Sequence, residues 1–179
     1  MNPYAYVPAD DPLFGWVRIE LDHEAGTLRV SGDVLPPVEI RRAPHTVPES
    51  HVPIGTRDPE RLTLLVDGAE EALRPSKGFL TRRSYRVEVV SGARECRYLL
   101  VPNSLGTSRL TRDERLLGVF TSSGDGHVSV DWEAAGESER ARARDPYDAS
   151  VGYGLAAAFG TGAEPMWQLT LNAALDLWP

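Results

Sequence analysis

The sequence predicts a mainly β, α+β chain: an antiparallel β-barrel or sandwich of about seven to nine strands, followed by a C-terminal pair of helices, the first of them buried. Two observations carry this expectation. Apolar residues alternate with polar ones through most of residues 13–133, and turn residues break the alternation at short intervals. After residue 144 the period changes, and a stretch without charge opens behind a helix-start signal. At 179 residues, with 41% apolar and 25% charged side chains, the chain fits one globular domain spanning 1–179.

Residues 1–12 carry three prolines and the acid pair Asp10-Asp11, and read as an irregular arm. Val17, Ile19 and Leu21 then alternate with Arg18, Glu20 and Asp22, and Leu28 and Val30 resume the alternation after a turn through Gly26, so a β-hairpin is expected. Val34 to Arg41 reads as a strand that Pro36-Pro37 confines to an edge or a bend. Pro44, Pro48, Pro53 and Pro59 make 43–60 a loop. Leu62 to Val66 is a compact apolar strand ending at Asp67-Gly68. Tyr85, Val87 and Val89 form the next strand, and Glu95 to Val101 returns from it with both faces partly apolar. Thr107 to Arg112 and Arg115 to Phe120 flank Asp113-Glu114 as a further hairpin, and His127 to Glu133 completes the β-rich body of 13–133.

The helical tail covers 145–178. Asp145 is the N-cap, Pro146 the first helical residue and Asp148 an acid in the first turn, while Gly160 marks the stop. No charge occurs between Ala149 and Phe159. A helix apolar all round belongs in a core, and Gly152, Gly154, Ala156, Ala157 and Ala158 make this one thin. Two placements satisfy that: a helix inside a β-barrel, or half of an αα-hairpin capping one sheet face. A second helix is expected from Pro165 to about Leu177. Trp178 beyond it is a side chain suited to the core or to docking on a partner.

The hairpin Ser108-Arg109-Leu110-Thr111-Arg112-Asp113-Glu114-Arg115-Leu116-Leu117-Gly118-Val119-Phe120, the strand end Val130-Asp131-Trp132, and Asp145-Pro146-Tyr147-Asp148 opening an apolar helix form a recognisable series. Through it, residues 85–159 resemble the tubby-like and LURP-one-related proteins, the group that includes the phospholipid scramblases. The resemblance implies a closed antiparallel barrel around a hydrophobic helix, and some members bind phosphoinositides or membrane surfaces. No lipid-contacting residue carries over by alignment, and the expected second helix departs from the family pattern.

Charge narrows the possible functions. The net charge is −7, and of nineteen bases eighteen are arginines, with Lys77 alone. That ratio, together with three isoleucines, reads as GC-rich bacterial coding bias. An acidic total argues against bulk nucleic-acid binding, which requires a clustered basic surface. The bases are not evenly spread, however: residues 74–115 hold ten bases against four acids, a net of +6. Arg82, Arg83, Arg86, Arg97, Arg109 and Arg112 fall in this block, and period-two spacing on neighbouring strands would gather them on one sheet face. Guanidinium forks suit phosphate or carboxylate bidentately, so these six are the candidate ligand-binding residues. The alternative is that they pair with acids across strands.

His45, Glu49 and His51 in the proline-rich loop are the candidate metal ligands, although their spacing matches no metal motif. The single cysteine, Cys96, excludes an internal disulfide and a thiolate zinc site. Rossmann, P-loop, zincin and Gly-X-Ser-X-Gly patterns are all missing, so no catalytic residue and no cofactor is expected. The first residues have neither a basic n-region nor an apolar h-region, and no run reaches the length of a membrane span, so a cytoplasmic protein without a transmembrane segment is expected. Together these features favour a non-catalytic binding module whose ligand is an anionic small molecule, a lipid headgroup or an acidic protein partner. The alternatives are a small-barrel enzyme enclosing an apolar substrate, and an immunity-type partner subunit.

Overall fold

A computed structural model describes residues 4–78, 82–104, 106–133 and 145–160. Eleven strands run in chain order: β1 Tyr4–Asp11, β2 Gly15–Asp22, β3 Thr27–Gly32, β4 Val38–Arg42, β5 Leu62–Val66, β6 Ala69–Pro75, β7 Val87–Ser91, β8 Cys96–Ser104, β9 Thr107–Arg112, β10 Arg115–Ser122 and β11 Val128–Trp132. Each pairs antiparallel with the next, giving one eleven-stranded meander that curls into a nearly closed barrel around a helix, α1, at Pro146–Phe159. Of the two placements open to the apolar helix, the barrel interior is the one adopted.

The strands form because alternation sorts their side chains. In β2, Val17, Ile19 and Leu21 are buried while Trp16 and Arg18 are exposed, and β3, β4 and β7 repeat the pattern. The helix answers this inward surface. All thirteen residues from Tyr147 to Phe159 are buried, and α1 lies against β2, β3 and β4 on one side and β8, β9, β10 and β11 on the other. Its glycines allow the approach. A Cβ on Gly152 would stand 2.3 Å from the Phe120 Cζ, and one on Gly154 would stand 2.8 Å from a Val38 methyl. Asp145 caps the helix with a reciprocal capping box through Asp148, and Gly160 at φ 60° ends it.

The opposite end of the barrel is plugged by the loop between β4 and β5. Val52 and Ile54 of this loop are buried, and the Ile54 amide donates to the Ala158 carbonyl at 3.0 Å. Arg42 fastens it, donating to the Ile54, His23 and Glu24 carbonyls at 2.7–3.0 Å.

Three expectations change. The irregular arm at 1–12 is instead β1 over Tyr4–Asp11; Pro8 is tolerated there because β1 is an outer strand that has a hydrogen-bonded neighbour on one side only. β6, Ala69-Glu-Glu-Ala-Leu-Arg-Pro75, lacks β-branched residues and turns an acid inward. The barrel thus has eleven strands rather than the seven to nine expected, β1 and β6 being the two added to the nine segments named from the sequence. The proline pair 36–37 precedes β4 rather than interrupting it. The second helix at 165–177 and Trp178 lie outside the described residues.

Candidate functional site

The arginine face divides on inspection. In β8 and β9 the register pairs Leu100 with Leu110, both buried, and Tyr98 with Arg112. Arg112 therefore points inward, where its Nη1 donates to both oxygens of Asp148 at 2.8 and 3.0 Å. Arg97 points outward but stands 3.5 Å from Glu88 of the neighbouring strand. The side chains of Arg82 and Arg83 lie outside the described structure; their backbone forms a 3-10 turn, Arg82–Tyr85.

Arg86 and Arg109 remain. Both are exposed, and neither makes an ion pair among the described residues. Arg86 immediately precedes β7, and continuing the Val87↔Leu100 register by one residue alongside the Val101↔Arg109 pair sets the two arginines on either side of Val101. Two strand spacings separate their Cα atoms, roughly 10 Å, which two arginine side chains can bridge onto one anion.

The loop histidines do not assemble a metal centre. His51 stands 3.6 Å from Glu49, both about half exposed, while His45 takes up a left-handed turn position at φ 62°. No group of three His, Cys, Asp or Glu side chains able to hold a metal exists among the described residues. Cys96 is partly buried, and burial pushes its thiol up, away from the reactive thiolate form.

A polar cluster that sequence reasoning missed surrounds the helix N-terminus. Asp148, fully buried, accepts from the Tyr98 hydroxyl at 2.7 Å as well as from Arg112. Glu71 accepts from the Tyr147 and Ser91 hydroxyls, each at 2.8 Å, and from the Gly92 amide at 2.7 Å. The Tyr98 and Tyr147 rings stack at 6.2 Å, and Arg94 lies over Tyr147 while pairing with Asp145. Burial raises the Tyr147 hydroxyl to about 12 and lifts that of Tyr98 further. These hydroxyls stay protonated as donors, and both carboxylates are fully engaged. The cluster anchors α1 in the barrel.

Arg57 does the same for the other end. Nearly fully buried, it donates to the Ser76 and Tyr85 carbonyls at 2.8 and 2.5 Å and lies over the Tyr85 and Phe159 rings. Burial lowers it to about 10.

On the far side of the barrel a cleft of about 480 Å³ opens on the outward face of β1–β3. Trp16 and Tyr6 line it with 61% and 51% of their surface exposed, together with Pro8, Arg18, Ser31 and Asp33. The Arg18 guanidinium lies 5.5 Å over the Tyr6 ring. Sequence reasoning missed this surface; the signal that marks it is Trp16, which shares the outward parity of Arg18 and Glu20, where the alternation calls for a polar residue.

Fold and surface thus define an antiparallel barrel filled by its own C-terminal helix, whose interior charges are engaged in holding that helix while the Arg86–Arg109 row and the Trp16–Tyr6 cleft face outward. No family model, no curated protein and no solved structure matches the chain.

Proposed function

We propose that the protein is a non-catalytic binding module that engages an anionic ligand on its outer surface. The observation carrying this reading is the occupation of the lumen by α1, whose residues from Tyr147 to Phe159 are all buried. An enzyme enclosing an apolar substrate requires that same space. The polar groups which do face inward, around Asp148 and Glu71, are spent on holding the helix.

Recognition then falls to the exterior, where Arg86 and Arg109 form the exposed basic pair. Their chemistry suits a phosphate or a carboxylate. The architecture is of the kind the tubby-like resemblance implies, and we place the chain among such proteins as part of this proposal. No helix among the described residues is long and apolar enough to cross a membrane. Cytoplasmic placement belongs to the proposal as well.

The test is the double variant Arg86→Glu/Arg109→Glu against tripolyphosphate, phosphatidylserine-containing vesicles and a polyglutamate peptide. At least one probe binds the parent protein, and the double variant weakens that binding at least tenfold with an unchanged melting temperature. Absence of binding to all three probes, or equal binding by parent and variant, overturns the reading.

A further inference from the structure

We propose that the β1–β3 cleft is a second binding surface, one that takes an extended, proline-containing peptide carrying positive charge. The cleft lies on the opposite side of the barrel from the Arg86–Arg109 row, since β2 and β8 are six strands apart in an eleven-stranded meander.

Two side chains of the kind that dominate protein interfaces, Trp16 and Tyr6, stand exposed on a sheet face whose other outward positions are polar, charged or proline. The pairs Tyr6↔Glu20 and Asp10↔Trp16 put them four residues apart along the ladder, roughly 13 Å. A polyproline II segment rises about 3.1 Å per residue, so about four of its residues reach from one ring to the other. Aromatic-lined grooves recognise this conformation because its backbone is already extended and little entropy is lost on docking. The volume of about 480 Å³ lies within the range of ligand-binding clefts.

Charge sets the polarity of the ligand. Asp10 and Asp33 are exposed beside Trp16 and Glu20 is half-buried beside Tyr6; of the two bases on this face, Arg18 is engaged over the Tyr6 ring and Arg29, opposite Glu20, pairs with Glu39. Asp10 and Asp33, which pair with no cation among the described residues, favour a lysine or arginine at the Trp16 end. Pro8, between the rings, offers an apolar floor without an N–H.

The experiment is fluorescence anisotropy with a labelled peptide of two arginines followed by six prolines, set beside its arginine-free version and a labelled cello-oligosaccharide. The arginine-bearing peptide binds saturably in the micromolar to millimolar range. Trp16→Ala weakens it at least tenfold, and Asp33→Asn weakens it several-fold while leaving the arginine-free peptide unaffected. Asp33→Asn, at an exposed turn, remains informative if Trp16→Ala lowers the melting temperature. No saturable peptide binding, binding indifferent to both substitutions, or binding of the oligosaccharide instead of the peptide overturns the proposal. Because Arg86 and Arg109 lie outside this surface, their double charge reversal leaves peptide binding unchanged, which separates failure here from failure of the anion reading.

Discussion

Replacing Gly152 by alanine sets two opposed effects against each other. In an isolated helix the change is favourable by about 1 kcal/mol, because alanine loses less backbone entropy on folding. Within the barrel, the added methyl would stand 2.3 Å from the Phe120 Cζ and 2.9 Å from a Leu110 methyl. Phe120 has little freedom to withdraw. Its ring is held edge-on between Trp132 and Tyr153, each at 5.6 Å, and it is 1% exposed. Forcing a methyl into a packed core costs about 1–3 kcal/mol, and a site confined by two rings belongs at the upper end. The expected net is a destabilisation of about 1–2 kcal/mol, or a fall in Tm of about 2–8 °C for a chain of this size. Gly154→Ala meets a single Val38 methyl at 2.8 Å and costs less. Urea denaturation of Gly152→Ala, Phe120→Leu and the double variant measures the coupling. Shortening Phe120 relieves the collision, so the double variant is more stable than the sum of the singles by at least about 1 kcal/mol. A stabilised Gly152→Ala protein, or strictly additive costs, refutes the tight helix-in-barrel packing.

Three further outcomes are expected. Asp11, 2% exposed, accepts from the Leu13 and Phe14 amides, the Trp132 indole and the Tyr153 hydroxyl. Asp11→Ala orphans these donors and costs about 2–4 kcal/mol, with hydrogen exchange accelerated first in β1 and β11; a cost below about 0.5 kcal/mol refutes the role of Asp11 at the seam. Arg112→Met leaves the Asp148 carboxylate buried without its cation and costs about 3 kcal/mol in chemical denaturation, the low end of such losses because Arg112 is 26% exposed. Adding Asp148→Leu recovers part of that cost, and a double variant as unstable as the single refutes the pairing argument. Alkali acts through three tyrosines: Tyr147 is raised to about 12, and Tyr98 and Tyr153 are raised further, burial being the largest cause in each. A group whose folded-state value is raised contributes its full stability below the unfolded value near 10 and loses it as pH rises toward the folded value. Arg57, lowered to about 10, works in the opposite sense, and three hydroxyls outweigh one guanidinium. Stability therefore declines from about pH 10 upward, and Tyr153→Phe flattens the decline; a melting temperature unchanged between pH 9 and 11.5 refutes it.

How far the sequence could be read depended on whether a signal was local. Asp145, Pro146, Asp148 and Gly160 occupy the cap, first-turn and stop positions that the sequence indicates, because capping is decided within one helical turn. Nine strands were visible as alternation. β1 was hidden by Pro8, which an outer strand tolerates, and by the prolines flanking it in sequence, and β6 by Glu71, whose inward orientation is explained only by Ser91, Gly92 and Tyr147, distant in the chain. Arg112 leaves the expected arginine face for a related reason. In β9 the buried Leu110 assigns Arg109 and Arg112 to opposite faces by simple counting, but the partner that makes an inward arginine acceptable, Asp148, is a long-range contact. Trp16 went unremarked although its signal is local. Its outward parity was plain from Val17, Ile19 and Leu21, and the cleft needed only β1 alongside.

The strand count explains why the helix is part of the wall as well as its filling. Ten successive antiparallel pairings leave β1 and β11 running in the same direction, so the antiparallel ladder that built the sheet cannot close it. Side chains take over at that seam. The Trp132 indole of β11 donates to Asp11 of β1 at 3.1 Å, and the Tyr153 hydroxyl of α1 reaches the same carboxylate at 2.8 Å. At the other end Gly126 sits so close to Ala5 and Val7 that a Cβ would meet them at 3.3–3.4 Å. A groove of about 350 Å³ remains between, with Tyr153 among its lining residues. One carboxylate thus joins the first strand, the last strand and the central helix. Emptying the lumen to admit a ligand would break that junction, and this is why the proposed binding is assigned to the outer surface.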